Sequence, residues 1–193
     1  MYDKHQFEKV CSGYIDRLAY VVFLCNIYKS RLINGKSNGE KLKIAPSFFD
    51  VSFKAIKHQA LLTSANFYLF GQSNEFTIHK LLKILESDSN LRRTSSLNEL
   101  DDAVKKIRDS LGRNENLISR LIEWRNRYIA HNDKKYFNDK SKLDSEAIDI
   151  DKLTQLLETS IEQILNVAKI IGIEPEFDKN KYINDFPELY KRI

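Results

Sequence analysis

Apolar residues recur every three or four positions along most of this chain, a period that predicts helices. Phe7, Val10, Tyr14, Leu18, Val21 and Cys25 place a first helix over residues 3–33, with Asp3 as its cap. Asn34-Gly35-Lys36-Ser37-Asn38-Gly39 reads as a flexible loop. A second helix runs from Pro46-Ser47 to about Phe70 on Phe49, Phe53, Ile56, Ala60, Leu61, Ser64, Phe67 and Tyr68, and Gly71-Gln72-Ser73-Asn74 closes it. Thr77 opens a short helix over Ile78–Leu85, and the polar residues 87–96 read as a connection. Ser96 and Glu99 have the spacing of a capping box, so a helix starts there and runs to Leu111, with Gly112 as the break. Another helix covers residues 115–131, a charged loop covers 132–148, and a last long helix covers 150–171 with Gly172 as its C-cap and Pro175 as its stop. No segment alternates as a strand. The pattern predicts an all-α fold, an antiparallel helical bundle of about five to six helices with no sheet. Residues 1–172 form the bundle. Residues 173–193 form a C-terminal tail with one short helix around Pro187–Lys191.

Composition agrees. The 193 residues suffice for one domain with a real core. With only 6 Gly and 3 Pro, the chain lacks the turn chemistry that a sandwich or barrel needs. A formal net charge of +4 permits an anionic partner without demanding one. Cys11 and Cys25 lie in one predicted helix, roughly 21 Å apart along its axis, too far for a disulfide. Reduced thiols fit a cytoplasmic location. The run Leu18–Leu24 is too short to span a bilayer, and the N-terminus does not begin like a signal peptide, so no membrane association is expected.

The candidate chemistry lies in Trp124-Arg125-Asn126-Arg127-Tyr128-Ile129-Ala130-His131-Asn132-Asp133. On a helical projection Leu117, Ile118, Leu121, Ile122, Tyr128 and Ile129 fill an arc of roughly 140°, with Trp124 at its margin and Arg125 near its middle. Arg127 and His131 sit together at i, i+4 on one edge, and Asn126 lies at the other. A guanidinium inside an apolar stripe is costly unless paired. Two arrangements answer that cost. One is a buried ion pair with a carboxylate from another helix, since Glu123 is on the wrong face; this is the commoner arrangement. The other is a face that meets a second subunit and leaves a slot for an anion.

Arg125-Asn126-Arg127-Tyr128-Ile129-Ala130-His131 resembles the signature of the HEPN superfamily, an Arg followed by a polar residue and then, after four to six intervening positions, a His. The wording around it, and the stretch Tyr68-Leu69-Phe70 through Phe76-Thr77-Ile78-His79-Lys80-Leu81-Leu82, resembles the AbiU-type branch of abortive-infection proteins. The resemblance implies a helical bundle over residues 1–172 that forms a homodimer through its motif-bearing helices. It also implies an endoribonuclease that needs no metal or other cofactor and acts as a toxin or antiphage effector. On this resemblance Arg125, His131 and Asn126 are the catalytic residues and RNA is the substrate. A neighbouring antitoxin or regulatory protein is the expected further partner. The residue types suit the chemistry. A 2′-hydroxyl serves as internal nucleophile, His131 moves protons near neutral pH, and Arg125 offers a fork to the pentacovalent phosphate. The products would be a 2′,3′-cyclic phosphate and a 5′-hydroxyl.

Arg127, Lys134 and Lys135 are weaker candidates for RNA contact, each with a plain reading as a solvated charge. Arg92-Arg93 is weaker still. Trp124 and Tyr128 read as core packing rather than base-stacking groups. Tyr136 lies five residues past His131, not at the two-residue spacing of modified tyrosines in some HEPN toxins. His5, His58 and His79 make no metal constellation with cysteines or carboxylates at ligand spacing. Two alternatives to the enzyme stay open. One is an HEPN-like module that binds RNA, nucleotide or protein without cutting. The other is a helical scaffold in which Arg125 is only a structural ion pair.

Overall fold

The structure is a computed structural model that describes residues 2–34, 46–70, 76–94, 96–130 and 148–176. Seven helices occur among the described residues: α1 (Lys4–Asn34), α2 (Pro46–Tyr68), α3 (Ile78–Ser87), α4 (Ser89–Thr94), α5 (Leu97–Arg113), α6 (Glu115–Ala130) and α7 (Ile150–Ile171). No strand is present among them. The predicted loops after Asn34, Phe70 and Ala130 and the tail from residue 177, with its predicted short helix, lie outside the described residues. Ile173 is buried, so the tail's first residue belongs to the bundle.

α1 is the central helix and packs on α7 and α2; α2 also packs on α6, and α5 packs on α7 and α3. Its apolar stripe of Phe7, Cys11, Tyr14, Leu18, Val21 and Cys25 is buried. Contacts at both ends set its direction against α7. Lys29 near its C-terminus pairs with Asp151 at the start of α7 (2.7 Å), and Lys4 lies beside Gly172 at the other end. The pair is therefore antiparallel. So are α1 and α2, since Tyr14 meets Phe67 while Tyr28 meets Lys57. In length and composition α1 alone among the described helices could cross a bilayer. Its apolar stripe is instead covered by the bundle, as in the core helix of a globular domain.

Helix ends follow local chemistry, with three departures from expectation. Asp3 caps α1 and forms a reciprocal box with Gln6, Gln6 N–H donating to Asp3 Oδ1 (2.7 Å) and Asp3 N–H to Gln6 Oε1 (3.2 Å). Thr77 caps α3 through Lys80 N–H, and Asp149 caps α7. Gly172 ends α7 in the left-handed region, φ 74°, where a Cβ would be strained. The box expected at Ser96 does not form: Ser96 is the N-cap, but its hydroxyl bonds no backbone N–H. It is exposed, so water can satisfy those donors. α5 does not break at Gly112. It continues to Arg113 and ends at Asn114, whose side-chain amide donates to Ser110 O (2.9 Å). Finally, the polar connection 87–96 contains α4. One apolar residue, Leu91, anchors this short helix in the core, and a single apolar position carries no period to read.

Cys11 and Cys25 are free and buried. Burial, aided by Glu8, pushes the Cys11 thiol up to about 12, and burial pushes Cys25 up to about 11. Neither is a thiolate at neutral pH, which removes both as nucleophiles. Gly13 permits a close approach, because a Cβ there would lie 3.1 Å from the Phe76 ring. That ring is held under Arg17 (3.8 Å) and against Tyr14.

Asp88 ties the N-terminus to the α3–α4 corner. Its Oδ1 accepts from the N–H groups of Asn90 (3.0 Å) and Leu91 (3.2 Å), and its Oδ2 accepts from Tyr2 N–H (2.7 Å). Burial alone would raise this carboxyl, but the bonds from Tyr2, Leu91 and Asn90 outweigh it and hold it below the usual carboxylate range. A lowered folded value means that folding favours the ionised form. The contribution is therefore full above the unfolded value of about 3.9 and fades as pH falls through the folded one. Asp88→Ala is expected to cost about 0.5–2 kcal/mol at pH 7. Thermal melts at stepped pH should show the gap to wild type narrowing in acid; a gap independent of pH would contradict the assignment.

Candidate functional site

Helix α6 carries the motif from Arg125 as far as Ala130. Glu115 in its first turn and Arg127 in its last complement the helix dipole. Among its described side chains Leu121 and Trp124 are buried, while Leu117, Ile118, Ile122 and Arg125 are half-buried. The buried centre is thus Leu121 and Trp124, and Arg125 stands on its shoulder rather than in the middle of the apolar arc. The reason is tertiary. α2 packs on α6, and Trp124 goes inward to meet the His58 ring at 5.6 Å. Trp124 is a packing residue, as its sequence context suggested.

Arg125 has no carboxylate partner among the described residues, so the expected buried ion pair is not found there. Its partners are two neutral amides. Nε–H donates to Asn66 Oδ1 on α2 (2.8 Å), and Nη1 donates to Asn126 Oδ1 (2.9 Å). A guanidinium only donates, so each amide must turn its oxygen toward it. A guanidinium has five N–H groups. Three of Arg125's, one on Nη1 and both on Nη2, have no partner among the described residues. No buried side-chain nitrogen or oxygen among those residues lacks a partner, so Nη2, which has none, reaches accessible surface. The cation is oriented but not neutralised, a state suited to receiving an anion through a paired fork.

The other motif residues divide. Asn126 is exposed and spends its oxygen on Arg125. Arg127 forms an ion pair with Glu123 one turn back, which confirms that Glu123 serves that edge and not Arg125. His131, Lys134, Lys135 and Tyr136 lie outside the described residues, as do the side chains of Tyr128 and Ile129. Among the described residues no group of three or more His, Cys, Asp or Glu is placed to hold a metal ion. A cavity of about 400 Å³ between α5 and α7 is lined by Glu99, Asp102, Lys106, Asn166 and Lys169; no motif residue borders it.

Asn66 is the residue that sequence reasoning missed. The signal was weak: an amide inside a helix between Ala65 and Phe67, where asparagine is a poor helix former.

A family model described as AbiU2, within the HEPN group, matches residues 18–192. This chain is a member of the AbiU2 family. No curated protein and no solved structure shows a significant match. AbiU2 membership agrees with the all-helical fold and points to an HEPN-type abortive-infection function. The match covers α2, α6 and α7 entirely, so Asn66 and the Arg125–His131 motif all fall within it.

Proposed function

We propose that this AbiU2 chain is a metal-independent endoribonuclease that acts as a homodimer in the cytoplasm, as a toxin or antiphage effector. The observation that supports the reading is Arg125, a cation held by two neutral amides with three N–H groups uncommitted among the described residues. In this reading the 2′-hydroxyl of RNA attacks the adjacent phosphorus and loses its proton to a His131 imidazole. A new 2′-O–P bond forms and the P–O5′ bond breaks. The departing 5′-oxygen takes up a proton, leaving a 2′,3′-cyclic phosphate and a 5′-hydroxyl. Arg125 answers the charge that builds on the phosphoryl oxygens. Asn126 keeps the guanidinium turned toward them. Dimerisation through α6 would bring two such sets into one cleft, with Lys134 and Lys135 near the RNA backbone.

The test is cleavage of RNA by the purified protein in EDTA, scored for cyclic phosphate ends, with His131→Ala beside wild type. Cyclic ends from wild type alone are the expected result. A folded wild type that binds RNA in a salt-sensitive way and leaves it intact would instead establish a non-cleaving binding module.

A further inference from the structure

We infer that Asn66, on a helix outside the motif, is the positioning residue for Arg125, and that its neutrality is what keeps the guanidinium available to a phosphate. The inference rests on the endoribonuclease reading for its consequence in catalysis, but its physical core stands on the hydrogen bond itself.

The last turn of α2 is held firmly. Ala65 and Phe67, on either side of Asn66, are buried. Phe67 packs edge-on against Tyr14 (5.9 Å), and the Tyr68 hydroxyl bonds Ser160 Oγ on α7 (2.9 Å). Asn66 therefore projects from a backbone pinned to two other helices, and its oxygen sits at a set place beside α6. The bond it accepts is to Nε, the guanidinium nitrogen nearest the chain. That bond fixes the plane of the whole group, while Asn126 fixes one Nη. An arginine stem is otherwise free to rotate, and a displacement of about 1 Å at a reacting group can cost on the order of 10²-fold in rate.

An aspartate at position 66 would accept the same bond at the same place. It would also neutralise the cation, and an arginine paired with a carboxylate has less attraction left for a phosphate. An amide is the side chain that orients without neutralising. This accounts for an asparagine, a weak helix former, in the last turn of α2.

Asn66→Asp separates this role from a merely structural one. A structural hydrogen bond predicts a variant that is stable and fully active. The positioning role predicts a variant that melts at or above the wild-type temperature, yet whose kcat falls about tenfold or more. Asn66→Ala is expected to lower kcat similarly with little change in KM. A second readout needs no cleavage: the Arg125 Nε–H resonance, assigned by its loss in Arg125→Lys. In wild type it exchanges slowly with water and shifts on titration with inorganic phosphate. In Asn66→Ala it exchanges quickly, and in Asn66→Asp the phosphate response needs about tenfold more ligand, the loss of roughly one charge-assisted bond. If wild type cuts no RNA, the endoribonuclease reading fails while exchange and phosphate titration still decide the role of Asn66. Unchanged Nε–H exchange in Asn66→Ala, an unchanged phosphate response in Asn66→Asp, or a wild-type resonance indifferent to phosphate would overturn the inference.

Discussion

Arg125→Ala is expected to lower RNA cleavage by roughly 10²–10³-fold, the effect of removing one donor to a developing oxyanion. Folding should survive. Arg125 is half-buried, and its two bonds go to neutral amides, so the expected loss of stability is only about 1 kcal/mol. For a chain of this size that is a fall of a few degrees in melting temperature. Arg125→Lys sharpens the test. Lysine keeps the charge but lacks the fork and the Nε–H that meets Asn66, so a large loss of cleavage is expected from it too. Cleavage at wild-type rate in Arg125→Ala would end the catalytic assignment. A variant that unfolds would return Arg125 to the scaffold reading, and circular dichroism with a thermal melt tells the two apart.

Leu121→Ala, one turn earlier on the same helix, should behave in the opposite way. Leu121 is fully buried in the core cluster beside Trp124. Truncation loses its transfer free energy and leaves a cavity that the packed helices fill only partly, a cost of about 2–5 kcal/mol. The melting temperature should fall by roughly 5–15 °C. Denaturant unfolding should show a lower midpoint with an unchanged slope, as expected when stability alone changes. A drop of only a degree or two would mean that α6 contributes little to the cooperative core. That would be hard to reconcile with its packing on α2.

Much of the fold was legible because helices announce themselves locally. The three-and-four spacing of Phe7, Val10, Tyr14, Leu18, Val21 and Cys25 located α1, and all of these but the half-buried Val10 are buried. Thr77 and Gly172 mark ends through bonds to backbone groups within one turn, so their chemistry is visible in a few neighbouring letters. α4 was hidden because it is six residues long and held by Leu91 and by a carboxylate, Asp88, that also reaches back to Tyr2 N–H. The Ser96–Glu99 spacing had the right letters, but an exposed helix end has water as an alternative partner.

The sequence by itself determined the all-helical class, the order of the long helices, the family and the motif that runs from Arg125 to His131. Each of these depends on residues close together in the chain, where period, cap and spacing act directly. Only the tertiary structure decided what holds Arg125. Which side of α6 turns inward depends on how α2 crosses it, and that crossing is set by the combined packing of α1, α2 and α7. It placed Trp124 inside and Arg125 on the shoulder, and it set an amide from 59 positions away against the guanidinium. A helical projection can show that a charge falls on an apolar face. It cannot show whether the group that meets the charge carries one of its own, because that group comes from another helix.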